Sequence, residues 1–250
     1  LIGGVMAALM TAKGIAMGAD IPLVAVNHLE GHALSPRLTH ELAFPYLLLL
    51  VSGGHTQLVI VEGVGQMTRL GSTIDDAAGE AFDKTAKVMG LGFPGGPALE
   101  KCAQDGDATR FDLPVPLKGK PGCDFSFAGL KTAARQIWDG LEEKADQDRA
   151  DLSASVQAAI ARALASRTKR AMDQFAQDYP DVALPRPLVV AGGVAANQKV
   201  RNSLLQIGSS HSLDVIFPKP SWCTDNGVMV AWAGIERLNL ALGIEKPVPK

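Results

Sequence analysis

With 250 residues, 47% of them hydrophobic, the chain is long enough to bury a large core in one big domain or two lobes. A net charge of −2 forces no nucleic-acid partner, yet leaves room for a local basic face. The three cysteines, Cys102, Cys123 and Cys223, lie far apart with no C-x-x-C pair. That argues against a disulfide framework or a cysteine-held zinc and fits a reducing cytoplasm.

The first residues are apolar and small, and they predict an amphipathic helix over roughly residues 3–17. They resemble a signal-peptide core, but no basic segment precedes them, and Lys13 and Asp20 follow closely. Val5, Met6, Leu9, Met10, Ile15 and Met17 face more than one side, so burial in the lobe or against another subunit is expected. The chain opens on Leu1 with no strand ahead of this helix, so an N-terminal truncation is expected. Ile21 to Val26 is an apolar run that predicts a buried strand.

Asn27-His28-Leu29-Glu30-Gly31-His32 follows at once. On a helix, residues four apart lie one above the other, so both imidazoles point to one side. Two such imidazoles suit a divalent metal, though a surface helix with two solvated histidines would read the same way. The zinc-protease pattern is absent, because its acid directly follows the first His, whereas Glu30 points elsewhere. Leu42 to Val51 is the longest apolar run; it contains Pro45 and is too short to span a bilayer.

Tyr46 to Val51 predicts a buried strand, Ser52-Gly53-Gly54-His55 a turn, and Gln57 to Glu62 the returning strand. Asp75 to Met89 reads as a helix, with Asp75 and Asp76 placed to cap it. Phe93 to Pro97 reads as a turn before a short helix through Glu100 and Cys102. Residues 105–125 read as loop, Gly129 to Lys144 as a helix, and Leu152 to Phe175 as a long helix with 3.6-residue periodicity. Pro187 to Ala191 predicts a strand ending in Gly192-Gly193, with a helix from Asn197. Asp214 to Phe217 predicts a last strand, and Asp225 to Leu242 a last helix capped by Thr224. The alternation defines an α/β class.

Three glycine pairs, Gly53-Gly54, Gly95-Gly96 and Gly192-Gly193, stand at strand ends or a helix start. One pair is usually a tight turn; three suggest a nucleotide cleft, since glycine lets backbone N–H groups approach a phosphate. Neither a P-loop nor a G-x-G-x-x-G fingerprint is present. Two sets of basic residues could meet nucleic-acid phosphates: Arg162, Arg167, Lys169 and Arg170 on the long helix, and Lys118, Lys120, Lys131 and Arg135 near the loop. A solvated face is the default reading of either set. His40 and His211 read as plain surface residues, and His55 as either a ligand contact or a structural hydrogen-bonding residue.

Several segments together carry a specific resemblance. They are His28-Leu-Glu-Gly-His32, Val51-Ser-Gly-Gly-His55, Gly79-Glu-Ala-Phe-Asp-Lys-Thr-Ala-Lys87, Phe93-Pro-Gly-Gly-Pro97, Asp124-Phe-Ser-Phe-Ala-Gly-Leu-Lys131, Gly192-Gly-Val-Ala-Ala-Asn197 and Cys223-Thr-Asp-Asn226. In this order they resemble the TsaD family of tRNA threonylcarbamoyladenosine transferases, once called O-sialoglycoprotein endopeptidases.

The resemblance implies an actin-like, hexokinase-type two-lobed fold with the ligand between the lobes. Residues 1–40 with 222–250 would form the first lobe and 41–221 the second. It implies transfer of threonylcarbamoyl from threonylcarbamoyl-AMP to N6 of adenosine 37 in tRNAs that read ANN codons. His28, His32 and Asp225 would hold one divalent metal, Fe2+ or Zn2+, with Mg2+ as an alternative. Val51, Ser52, Gly53, Gly54, His55, Asp83, Gly96 and Asn197 would hold the adenylate, with Glu100 a candidate for its ribose. On its own pattern, Asp83 reads as part of a solvated helix face. Partners implied are tRNA, a paralogous actin-like subunit of the TsaB type and a small ATPase of the TsaE type, in the cytoplasm and without a membrane. Family members begin with a strand and a phosphate-side Asp that this chain lacks.

Chemically, transfer from a mixed anhydride develops charge on the acyl oxygen while AMP leaves. A metal held by two histidines and an acid keeps positions open for substrate oxygens. Backbone N–H groups at the glycine turns would add fixed dipoles. A metallopeptidase, a non-catalytic actin-like partner, and a sugar or acetate kinase on the same fold are the alternatives.

Overall fold

Six consecutive apolar residues, Tyr46–Val51, form β1, and every one is buried. Alternate residues of a strand face opposite ways. Leu47, Leu49 and Val51 therefore enter one hydrophobic cluster, while Tyr46, Leu48 and Leu50 enter another. A strand covered on both faces needs an unbroken apolar run rather than alternation. The computed structural model describes residues 2–219 and 225–244.

Around β1 stand β2 (Thr56–Gly63), β3 (Gln66–Ser72), β4 (Arg186–Ala191) and β5 (Leu213–Ile216). The order is β3-β2-β1-β4-β5. β1, β2 and β3 run antiparallel in succession, whereas β4 is parallel to β1 and β5 to β4. On one face, α3 (Ala78–Val88), α4 (Gly95–Cys102), α5 (Ala128–Gly140), α6 (Asp146–Asp178) and α7 (Gln198–Ser210) build the larger cluster. On the other face, α2 (His28–Leu34) and α8 (Gly227–Leu242) cover Leu48 and Leu50 with Ala33, Leu34 and Ala233. α6 buries Leu152, Val156, Ile160 and Leu164, one turn apart, which is the stripe its periodicity predicts.

Several expectations are corrected. Ile21 to Val26 is not a strand: only Val26 is half-buried, and no strand lies beside the run among the described residues. An extended run becomes a strand only through a partner's hydrogen bonds. β3 escapes the sequence because Gln66-Met-Thr-Arg-Leu-Gly-Ser72 is a largely exposed edge strand held by β2, with no apolar run of its own. α1 (Ile2–Ala19) forms, but none of its residues is buried within this chain and its apolar side chains lie on all sides, so neither amphipathicity nor burial in the lobe holds. By length and composition alone, this helix is long and apolar enough to cross a membrane.

Boundaries also move. α4 already begins inside the expected turn, at Gly95, and α5 ends at Gly140 rather than Lys144. Asn226 caps α8, its Oδ1 accepting the Met229 N–H at 2.9 Å; Thr224 lies outside the described residues, as does Cys223. Asp75 caps a helix, but not its own: it accepts the N–H groups of Phe127 at 2.7 Å and Ala128 at 3.2 Å, at the start of α5. Asp76 bridges Lys84 and Lys131.

Leu49 is fully buried at the centre of the sheet, where its truncation leaves a cavity that five strands cannot collapse into. Leu49→Ala is expected to cost about 3 kcal/mol of stability, read by chemical denaturation.

Candidate functional site

α2 starts where it does because Asn27 caps it, its Oδ1 accepting the Leu29 N–H at 2.9 Å. The cap sets the helix phase, so the rings of His28 and His32 meet edge to face, 4.9 Å apart. Asp225, immediately before the cap of α8, reaches the same point. Its Oδ1 lies 3.0 Å from Nε2 of His32 and 3.3 Å from Nε2 of His28. The ligating atoms of all three residues lie within 4.8 Å of one another.

Around a tetrahedral ion with bonds of about 2.0–2.2 Å, ligand atoms sit about 3.3–3.5 Å apart. The Asp225 oxygen already stands at nearly that spacing from each nitrogen, and all three atoms lie within 4.8 Å of one another, so the donor set fits one divalent ion. His32 is buried, and burial holds its pKa below the usual histidine value despite the hydrogen bond to Asp225. A neutral imidazole keeps a lone pair for a metal. Its Nδ1 is buried without a hydrogen-bond partner among the described residues. His28 and Asp225 are exposed, which leaves one side of the group open to a substrate.

His55 connects this group to the glycine turns, its ring 6.3 Å from that of His28. β1 and β4 are parallel and pair Leu50 with Ala191, so their carboxyl ends deliver Ser52-Gly53-Gly54-His55 and Gly192-Gly193 side by side. Clefts at such carboxyl ends are the usual ligand sites of α/β sheets. Gly192 has φ +99°, and a Cβ there would lie 2.2 Å from the Val51 carbonyl oxygen. Gly79, in the first turn of α3, would place a Cβ 2.6 Å from the Ser52 carbonyl oxygen and 2.7 Å from Cα of Gly53. Only hydrogen fits at either position. The turn is braced further by Ser52, whose N–H donates to the His55 carbonyl at 2.7 Å and whose Oγ accepts the His55 N–H at 3.1 Å. Gly53, Gly54 and Gly193 are exposed, with open space where a side chain would stand.

The remaining expected adenylate residues continue this rim. Asp83, half-buried on α3, accepts the Gly95 N–H at 2.9 Å and so caps α4 beside Gly96. It is therefore not a solvated face. Glu100, at the far end of α4, accepts the Gln198 N–H of α7 at 2.7 Å. Asn197 caps α7 through the Val200 N–H at 3.0 Å and donates to Gln157 of α6 at 2.8 Å. Contacts thus run from Ser52 to Gly79, from Asp83 to Gly95, from Glu100 to Gln198 beside Asn197, and from Gly192 to Val51. Gly79 and Gln157 were not singled out from the sequence. A glycine in the first turn of a helix is a faint signal for Gly79, and nothing marks Gln157.

The basic sets fare unevenly. Arg167 is buried and donates to the carbonyls of Lys120 at 2.8 Å and Gly122 at 3.0 Å, so it braces a loop rather than facing nucleic acid. Lys131 and Arg135 are engaged by Asp76 and Asp139. Arg162, Lys169 and Arg170 are exposed, and Arg162 shares a groove with Lys118.

A mixed sheet in the order β3-β2-β1-β4-β5, covered by helices on both faces, has the actin-like fold type. Solved structures agree on the fold. Full-length HypF in its phosphate- and nucleotide-bound form aligns over 88% of this chain and 44% of its own at TM-score 0.63 and 14% identity. HypF of T. kodakarensis aligns over 95% and 40% at 0.66 and 17%. The sequence model of the TsaD family, described as tRNA N6-adenosine threonylcarbamoyltransferase, matches residues 1–232, and the chain belongs to that family. Relatives carrying that description include the Maricaulis maris protein, 73% identical over 95% of this chain, and the Paramagnetospirillum magneticum protein, 58% identical over 96%. The chain spans 63% of the first relative's length and 69% of the second's.

Neighbouring glycines make a discriminating pair. Gly192→Ala is expected to destabilise the protein by about 2 kcal/mol or more, from its positive φ and the clash with Val51. Gly193→Val should stay within about 0.5 kcal/mol of wild type in denaturation and still lower AMP affinity in calorimetry. Unchanged AMP affinity in folded Gly193→Val would rule out phosphate binding at this turn.

Proposed function

We propose that this chain transfers the threonylcarbamoyl group from threonylcarbamoyl-AMP to N6 of adenosine 37 of tRNAs reading ANN codons. Membership of the TsaD family supports this reading. The single observation that carries it is the meeting of His28, His32 and Asp225 next to His55 and the two glycine turns. The metal-ligand segments belong to 1–40 and 222–250, and the glycine turns to 41–221. A ligand touching both lies between two lobes in this reading.

His28, His32 and Asp225 would hold one divalent ion, Fe2+ or Zn2+ or else Mg2+, which when bound acts as a Lewis acid toward an acyl or phosphoryl oxygen. The protein's own groups do the positioning. The N–H groups at Gly53-Gly54 and Gly193 receive the phosphate. Asp83 and Glu100 each spend one oxygen on a helix start, and the second remains for a ribose hydroxyl. Asn197, locked by Val200 and Gln157, closes the adenylate side. Fixed dipoles of this kind stabilise charge without reorganising during the reaction. In this reading the protein works in the cytoplasm with a TsaB-type paralogue and a TsaE-type ATPase, and the exposed Arg162, Lys169, Arg170, Lys118 and Lys120 are basic residues placed to meet tRNA.

His32→Ala removes the buried ligand. Modified-nucleoside yield, read by mass detection with partners, tRNA and synthetic adenylate present, is expected to fall at least 100-fold while circular dichroism stays native. Wild-type yield from the variant after chelation and dialysis would show that the metal has no part in the transfer. A peptidase would instead lose proteolysis in this variant, with nucleoside yield unaffected.

A further inference from the structure

α2 is a seven-residue helix, too short to hold an orientation by its own hydrogen bonds. Yet it must keep two imidazoles aimed at a carboxylate carried by another segment. The sequence of contacts shows how it lies. His32 meets Asp225, Gly31 packs on Met229, and Arg37 just beyond α2 binds Glu236 with Nε to Oε1 at 2.9 Å. These contacts hold α2 and the residues just beyond it against α8 and the residue before its cap at several points. A methyl group at position 31 would stand 3.4 Å from Met229, so the glycine allows close approach at the level of the ligands.

Between His28 and His32 sits Glu30, a carboxylate with no exposed surface. It faces away from the metal group. Oε2 takes the Arg237 guanidinium of α8 at 2.6 and 2.7 Å, and Oε1 accepts the Gly65 N–H of the β2–β3 turn at 2.9 Å. One side chain thus ties α2 to the helix that follows Asp225 and to the sheet. A buried carboxylate is costly unless paired and hydrogen-bonded, and here both of its oxygens are satisfied.

We propose that Glu30 is a positioning residue for the metal centre: through Arg237 and Gly65 it sets the rotation of α2, and so the distance from His28 and His32 to Asp225. The proposal rests on the metal reading above. Ligand sites tolerate displacements of only about 0.5 Å, so a helix free to turn about its axis would separate the donors.

Cobalt(II) is the probe, since its visible absorption reports ligand geometry. Titrations of the 250-residue chain compare wild type, Glu30→Gln, Arg237→Gln and Arg237→Lys. Glu30→Gln and Arg237→Gln are expected to raise the cobalt dissociation constant about 10- to 100-fold and to shift the absorption band. Arg237→Lys, which keeps the charge, should recover much of that loss. AMP affinity should stay at the wild-type value in all three. Arg237 is partly exposed, so its variants carry the comparison if Glu30→Gln fails to fold. Wild-type cobalt affinity and spectrum in the folded variants would overturn the proposal, as would a parallel loss of AMP affinity, which marks general loosening. A wild-type chain that takes up no cobalt would overturn the metal reading and this proposal together.

Discussion

At the carboxyl ends of β1 and β4 the backbone passes closer to itself than any side chain permits. Residue 192 must be glycine, because a Cβ would lie 2.2 Å from the Val51 carbonyl oxygen. Residue 79 must be glycine, because a Cβ would lie 2.6 Å from that of Ser52. These two contacts press the β1 turn between β4 and α3. The turn in turn places His55 beside His28 and leaves Gly53, Gly54 and Gly193 facing open space. The placing of the two turns is therefore a consequence of backbone packing, and the side chains on them are secondary to it.

Three helix starts are capped by residues from elsewhere in the chain. Asp83 caps α4, Glu100 caps α7, and Asp75 caps α5. A remote cap does two jobs at once. It satisfies a free N–H group, and it binds one element to another where each would otherwise rest on apolar contact alone. Residues that look like substrate ligands are thus also structural, and substituting them removes a helix cap together with any ligand contact.

The group of His28, His32 and Asp225 is built beside the other face of the sheet from the larger core. α2 and α8 share the smaller cluster with Tyr46, Leu48 and Leu50. Beside that apolar contact, two ion pairs, Glu30–Arg237 and Arg37–Glu236, fix their relative rotation. Apolar packing is non-directional, whereas a hydrogen-bonded ion pair has one geometry. That division of labour suits a site whose ligands come from segments nearly two hundred residues apart.

Much of this was legible beforehand. The unbroken apolar run of β1, the glycine-bounded hairpin, the 3.6-residue stripe of α6 and the i, i+4 histidines are local patterns with one physical solution each. The motifs also named His28, His32 and Asp225 in advance, and the structure brings the three together. What no local pattern carries was decided only in three dimensions. β3 exists because β2 offers its edge, and Ile21 to Val26 is no strand because nothing offers one. Arg167 was read as a surface charge and is a buried loop brace. Glu30 was read as pointing elsewhere, and the structure supplies what it points at. The sequence by itself determined which residues must be apolar or small, since those are properties of a side chain and its near neighbours. Only the tertiary structure decided which polar groups pair, because a hydrogen bond between residues 30 and 237 leaves no periodic trace along the chain.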